Sequence, residues 1–164
     1  MSDQGSAAVK SVVSPDSHAI TCEIEIAAPP ERVFQALTRS DELMRWWGND
    51  AWEVKVWEMD ARAGGKWRMV SGPRQKPAAG PDRYETQGEI LECVPPRLLI
   101  YSWLSSGHAD PKHPTVVRWD LTPAGNATLV KVTHSGLAGE EAARKGYSSG
   151  WPMVVQQLQK FVEK

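Results

Sequence analysis

Few side chains in this sequence have the type and spacing to do chemistry. His108 and His113 flank Asp110 in a stretch that also holds Pro111 and Pro114. Two imidazoles and a carboxylate are metal-ligand types, but a tetrahedral site needs a fixed frame and usually a fourth group. A proline-rich loop offers neither, so the stretch reads as a solvated loop and no metal is expected. His134 stands before Ser135. Adjacent residues of a strand face opposite ways, so the two do not form a nucleophile–base dyad. His134 is then a lone inward imidazole. It could hydrogen-bond a ligand carbonyl or hydroxyl and titrate near neutral pH where water reaches it, or it could be a satisfied structural residue beside Gly136. Arg62 and Arg68 flank Gly64-Gly65 and could meet an anionic head, although pairing with Asp60 is the simpler reading. Cys22 and Cys93 lie on strand-like segments without a basic neighbour, which reads as core packing. A phosphate loop, a dinucleotide fingerprint and zinc spacing are all missing, so no cofactor is expected.

The elements that must position these groups are marked by tryptophan. The chain has eight tryptophans against two phenylalanines and three tyrosines in 164 residues. An indole brings apolar bulk together with an N–H that needs a partner when buried, which suits the wall of a ligand cavity or an interface. Nineteen basic and twenty acidic residues nearly cancel. This balance, without a basic run, excludes an electrostatic footprint for nucleic acid and a polybasic lipid-docking cluster. No stretch is long enough to span a bilayer, residues 1–17 lack a signal-peptide core, and two cysteines do not make a disulfide framework. A cytoplasmic protein is expected.

Residues 1–17 read as a disordered leader and residues 18–164 as one domain. Ile20, Cys22, Ile24 and Ile26 alternate with polar residues, the period of a half-buried strand. Pro29-Pro30 opens a helix, and Ser40 is placed to cap a second. Strands then follow around Trp52–Val56, Trp67–Met69, Tyr84–Val94, Leu98–Leu104, Val116–Thr122 and Thr128–His134. Ala124-Gly125-Asn126 marks a tight hairpin. The last 25 residues carry Trp151, Val154, Val155, Leu158, Phe161 and Val162 at helical spacing, with Pro152 predicted to start or bend the helix near Gly150. The expected fold is α+β: a curved antiparallel sheet of about seven strands wrapped around a long C-terminal helix, with two short helices after the first strand.

Several motifs in this order resemble a known family. They are Pro30-Glu31-Arg32-Val33-Phe34-Gln35-Ala36-Leu37-Thr38, Trp46-Trp47, and Asp60-Ala61-Arg62-Ala63-Gly64-Gly65-Lys66-Trp67-Arg68. Gly88-Glu89-Ile90, Pro96-Arg97-Leu98, Tyr101-Ser102-Trp103, Thr133-His134-Ser135-Gly136-Leu137 and Gly150-Trp151-Pro152 complete the series. From about Ile20 onward the chain is similar to stand-alone members of the heat-shock-protein-90 ATPase activator-like family. That family sits in the SRPBCC helix-grip superfamily with START lipid carriers and pollen-allergen-type proteins. The resemblance implies a helix-grip fold with an apolar cavity under the long helix and no obligatory cofactor. It does not imply chaperone regulation.

Strand parity selects the residues that share that cavity. Trp67 with Met69, Tyr101 with Trp103, Val117 with Trp119, and His134 face inward, closed by Trp151 and Val155 on the helix and by Trp47 at one end. Trp57 pairs by parity with Glu53 and Lys55 and is expected outside, while Trp52 is left open. Loops 72–82 and 105–114 would border the entrance. The function expected from this set is non-catalytic binding of a small hydrophobic or amphipathic molecule, as a carrier or sensor. A cyclase, dehydratase or hydrolase is the second reading, with His134 as its one inward acid or base. A protein-interaction module, such as a chaperone ATPase regulator with Trp52 and Trp57 exposed, is the third.

Overall fold

The structure is a computed structural model that describes residues 10–14, 18–75 and 82–164. Its strands are β1 (Lys10–Ser14), β2 (Ala19–Ile26), β3 (Trp52–Met59), β4 (Lys66–Pro73), β5 (Tyr84–Val94), β6 (Leu98–Ser105), β7 (Thr115–Ala124) and β8 (Ala127–Ser135). Helices α1 (Pro30–Thr38) and α2 (Ser40–Trp46) follow β2, and α3 (Glu141–Val162) ends the chain. All eight strands form one antiparallel sheet in the order β1-β2-β8-β7-β6-β5-β4-β3. This is the expected α+β helix-grip fold with one strand more. The extra strand comes from the stretch read as leader: Lys10–Ser14 pairs with Ala19–Glu23, starting from Lys10 opposite Glu23. Residues 1–9 and 15–17 of that leader, and 76–81 of the first border loop, lie outside the described residues.

Local chemistry explains the helices. Pro30 opens α1, where its missing N–H costs nothing. Arg39 caps α2, one residue before the expected Ser40, and no side chain completes that cap. The two helices are joined through Glu42, which is 6% exposed. Its carboxylate accepts from Arg32 Nη1 at 2.6 Å and Gln35 Nε2 at 2.7 Å. Trp46 adds a further tie, its indole donating to the Ala36 carbonyl at 2.9 Å.

Helix α3 is divided along its length. Its buried residues, Trp151, Val155, Leu158 and Val162, all lie in the C-terminal half, spaced as one helical face. The N-terminal half buries none, yet it is helical from Glu141 onward. The last 25 residues are helical nearly throughout, as read, and Pro152 lies inside the helix and does not start it. The C-terminal half fills the sheet's concave face, and the N-terminal half reaches the sheet through Tyr147, whose ring lies 4.5 Å from that of His134.

Trp57 corrects the parity reading. It is 3% exposed and sits in the core. On β3, Val54 pairs with Ser71 while Val56 pairs with Val70, so β3 spends one residue more than β4 over that step. Lys55 is the extra residue of a β-bulge, and the bulge reverses the facing of everything beyond it. Simple alternation from Glu53 and Lys55 therefore sends Trp57 to the wrong side.

Lys55→Ala removes an exposed side chain and is expected to change stability by no more than about 0.5 kcal/mol. Deleting Lys55 closes the bulge, turns Trp57 out of the core and is expected to cost about 3 kcal/mol or more. Urea unfolding of the two variants measures the difference.

Candidate ligand-binding cleft

Where α3 stands off the sheet there is a cleft of about 610 Å³. Its sheet wall carries Met69, Ser71, Tyr84, Thr86 and Trp103, and Trp47 and Trp52 join it from the segment around α2 and β3. The loop after β6 adds Gly107 and His108. Helix α3 supplies Ala142, Ala143, Gly146, Tyr147, Gly150, Trp151 and Val154. No Asp, Glu, Lys or Arg lines the cleft among the described residues.

Of the residues expected at the cavity, Trp47, Met69, Trp103 and Trp151 line the cleft. Trp67, Tyr101, Val117, Trp119, His134 and Val155 are buried behind that wall, each at most 2% exposed. They are the wall's support. Seven of the eight tryptophans form one connected network, from Trp46 to Trp47 at 5.2 Å and from Trp47 to Trp57 at 5.0 Å between ring centroids. The network continues through Trp57–Trp67 at 5.6 Å, Trp67–Trp103 at 5.3 Å, Trp103–Trp151 at 5.7 Å and Trp151–Trp119 at 5.8 Å. Trp52 stands apart, packed on Tyr84 at 5.4 Å on the cleft's rim.

His134 takes the structural one of its two readings. Its side chain is fully buried, and both ring nitrogens are occupied. The Trp151 indole donates to Nδ1 at 3.1 Å, and Nε2 lies 2.7 Å from Thr115 Oγ1. Thr115 in turn donates to the Trp103 carbonyl at 2.8 Å. An indole can only donate, so Nδ1 is bare and the proton sits on Nε2. The chain Trp151–His134–Thr115–Trp103 is thus directional and complete, and it fastens α3 to β8, β7 and β6. Burial, with His108 nearby adding to it, holds the His134 pKa down at about 3. The imidazole is a neutral structural tie behind the cleft lining.

The polar groups at the cleft were missed in the sequence. His108, placed in a solvated loop, is 9% exposed. Its Nε2 lies 2.8 Å from the hydroxyl of Tyr147, which also receives the Trp103 indole N–H at 3.0 Å. The loop is held in place by Glu140, whose carboxylate accepts from the backbone N–H of Ala109 at 2.7 Å and of Asp110 at 2.9 Å. Burial lowers the His108 pKa, opposed by the Glu140 carboxylate. Burial also pushes the Tyr147 phenol up to about 12, so both groups are neutral at physiological pH. Tyr147 lies one helical turn before Trp151, a spacing that could have placed it on the same face. Nothing local marks His108, because its partners come from residues 140 and 147. His113 and Asp110 form an exposed pair at 3.1 Å, and no metal-ligand cluster occurs among the described residues.

The His134 tie has a sign in solution. An unfolded imidazole takes up a proton near pH 6.5, whereas the folded one does so only near pH 3. Its contribution is therefore intact above pH 6.5 and is lost as pH falls through that window, at about 1.4 kcal/mol per pH unit for one proton. Thermal unfolding of wild type and His134→Gln between pH 7 and 4 is expected to differ in slope by about one proton.

The fold has relatives. The model of the family described as Activator of Hsp90 ATPase homolog 1-like protein matches residues 27–163. A Rhodobacter sphaeroides protein superposes with a TM-score of 0.77 at 19% identity, covering 94% of this chain and 98% of its own. A Chromobacterium violaceum protein gives 0.77 at 26% identity, with 89% and 97% covered. The AHSA1 protein of Silicibacter pomeroyi gives 0.71 at 22%, with 87% and 95% covered. No curated protein matches the chain significantly. The match over residues 27–163 spans the helices, the sheet from β3 to β8 and the whole of α3: this chain belongs to the Activator of Hsp90 ATPase homolog 1-like family, within the helix-grip superfamily.

Proposed function

We propose that the protein binds a small hydrophobic or amphipathic molecule in the cleft between sheet and α3, as a carrier or sensor without chemical turnover. The observation that carries this reading is the pair of glycines on the helix wall. Gly146 and Gly150 lie inside α3 and line the cleft, and a Cβ built on either meets nothing within 4 Å. Each glycine costs the helix about 1 kcal/mol relative to alanine. Packing does not require them, since no neighbour would be displaced. A helix that gives up this stability to keep space open against an aromatic wall has the form of a binding site. The volume, about 610 Å³, lies in the range of pockets that enclose small organic ligands.

The catalytic reading is weakened by the same geometry. It rested on His134, which is sealed and paired on both nitrogens. His108 and Tyr147 do reach the cleft, but both are held neutral and neither is backed by a carboxylate on its own ring or hydroxyl. The interaction-module reading loses Trp57 as an exposed anchor, because that ring is core.

Gly146→Ala is expected to raise stability by about 1 kcal/mol and leave uptake intact. Gly146→Leu and Gly150→Leu fill the cleft and are expected to fold while losing a retained small molecule. Native mass spectrometry of each protein, purified from its own host, reads the outcome. Retention of the same adduct by both leucine variants would remove the cleft as the site.

A further inference from the structure

One residue that lines the cleft carries a buried polar atom that its own neighbours do not satisfy. Among the described residues, His108 Nδ1 has no hydrogen-bond partner and no contact with solvent. The proton on that ring can be placed. The Trp103 indole can only donate, so the Tyr147 oxygen accepts it at 3.0 Å. Ser105 also reaches that hydroxyl, and its Oγ already accepts the Gly107 N–H at 3.3 Å. With Ser105 donating to the Tyr147 oxygen, the phenol hydrogen goes to His108 Nε2 at 2.8 Å. With Nε2 accepting, the neutral ring carries its hydrogen on Nδ1, and a buried N–H is left without an acceptor. A buried donor left unpaired is unfavourable, and native structures normally supply it with a partner.

From this we infer that His108 is the residue that orients and selects the ligand, and that the ligand is neutral, with a flat apolar body and one carbonyl-type acceptor oxygen. The inference rests on the cleft being a ligand site. Three features of the lining support it. Trp47, Trp52, Tyr84, Trp103, Tyr147 and Trp151 present ring surface, which suits a planar body. The helix opposite, at Gly146 and Gly150, leaves room for a slab rather than a branched chain. Among the described residues no Lys or Arg lines the cleft, so a carboxylate or phosphate head would be desolvated without a counter-charge. His108 does not provide one, because its buried ring stays neutral. A ketone, quinone or amide oxygen pairs with Nδ1–H at no electrostatic cost.

The donor is covered in the free protein. Gly107, next to His108, packs over Tyr84, and a Cβ built there would lie 3.5 Å from the Tyr84 ring. For a ligand to reach Nδ1 the loop edge at Gly107 and His108 has to give way, while Glu140 holds Ala109 and Asp110 behind it.

The test uses three probes with one ring system: anthracene, 2-acetylanthracene and anthracene-2-carboxylate, titrated against tryptophan fluorescence of the full chain. 2-Acetylanthracene is expected to bind about tenfold tighter than anthracene, the value of one buried hydrogen bond, and the carboxylate more weakly than either. His108→Phe keeps the ring bulk and is expected to bind anthracene and its ketone equally. His108→Asn, whose amide can present a donor near the Nδ1 position, is expected to recover part of the preference. Equal binding of ketone and hydrocarbon by the wild type overturns the anchor and leaves the cleft reading standing. Preference for the carboxylate overturns the neutral ligand. Failure of all three probes to bind removes the cleft reading and the anchor with it. A second measurement needs no variant: the imidazole ¹⁵N spectrum of the free protein should show His108 protonated on Nδ1, and a ring protonated on Nε2 would sink the proposal.

Discussion

The structure depends on one requirement, that each buried indole N–H must find an acceptor. Trp46 finds the Ala36 carbonyl, Trp67 the Ser102 carbonyl, Trp103 and Trp119 the hydroxyls of Tyr147 and Tyr101, and Trp151 the His134 ring. Each bond joins two separate elements, so a composition heavy in tryptophan becomes a set of directional links through an otherwise apolar core. The links also set backbone spacing. For Trp67 to reach Ser102 across β5, residue 88 must have no side chain: a Cβ on Gly88 would lie 1.9 Å from the Ser102 carbonyl oxygen and 2.7 Å from the Trp67 indole nitrogen. Trp57 is the exception, its indole nitrogen buried without a partner among the described residues.

These links explain how a filled core and an open cleft coexist a few ångströms apart. Trp151 is the boundary. Below it, α3 packs Val155, Leu158 and Val162 into the sheet. Above it, alanines and glycines face ring surface across open space. Small residues on a helix would ordinarily let it collapse onto the sheet. The Trp151–His134 bond and the Glu140 clamp on the loop at Ala109 fix the helix at two heights and resist this.

Much of this was legible in the sequence because it follows from short-range periods. The alternation in β2, β7 and β8, the hairpin at Gly125-Asn126 and the helical face from Trp151 to Val162 all appear as read. What failed did so where a local period was interrupted or absent. Trp57 was misplaced because one extra residue at Lys55 reverses parity, and no composition cue marks it. The strand at Lys10–Ser14 lacks a long apolar run and owes its place to β2. His134 was correctly turned inward, but facing inward and facing a cleft are different, and only the depth of the wall separates them. His108 needed the reverse correction: a loop rich in proline looks solvated until a distant carboxylate and phenol close over it.

The bulge at Lys55 has an effect beyond the facing of Trp57. β3 is the last strand of the sheet, and among the described residues its outer side is met at its start by a bridge from Gly48 to Glu53 and by the Asn49 N–H on the Trp52 carbonyl at 2.9 Å. A regular strand in that position would offer a continuous row of free N–H and C=O groups to any extended chain nearby. The inserted residue interrupts that row midway and tightens the local twist, which is how edge strands are commonly blunted against pairing with another chain. One inserted residue thus shapes the open margin of the sheet as well as side-chain parity, by interrupting the row of backbone groups along it.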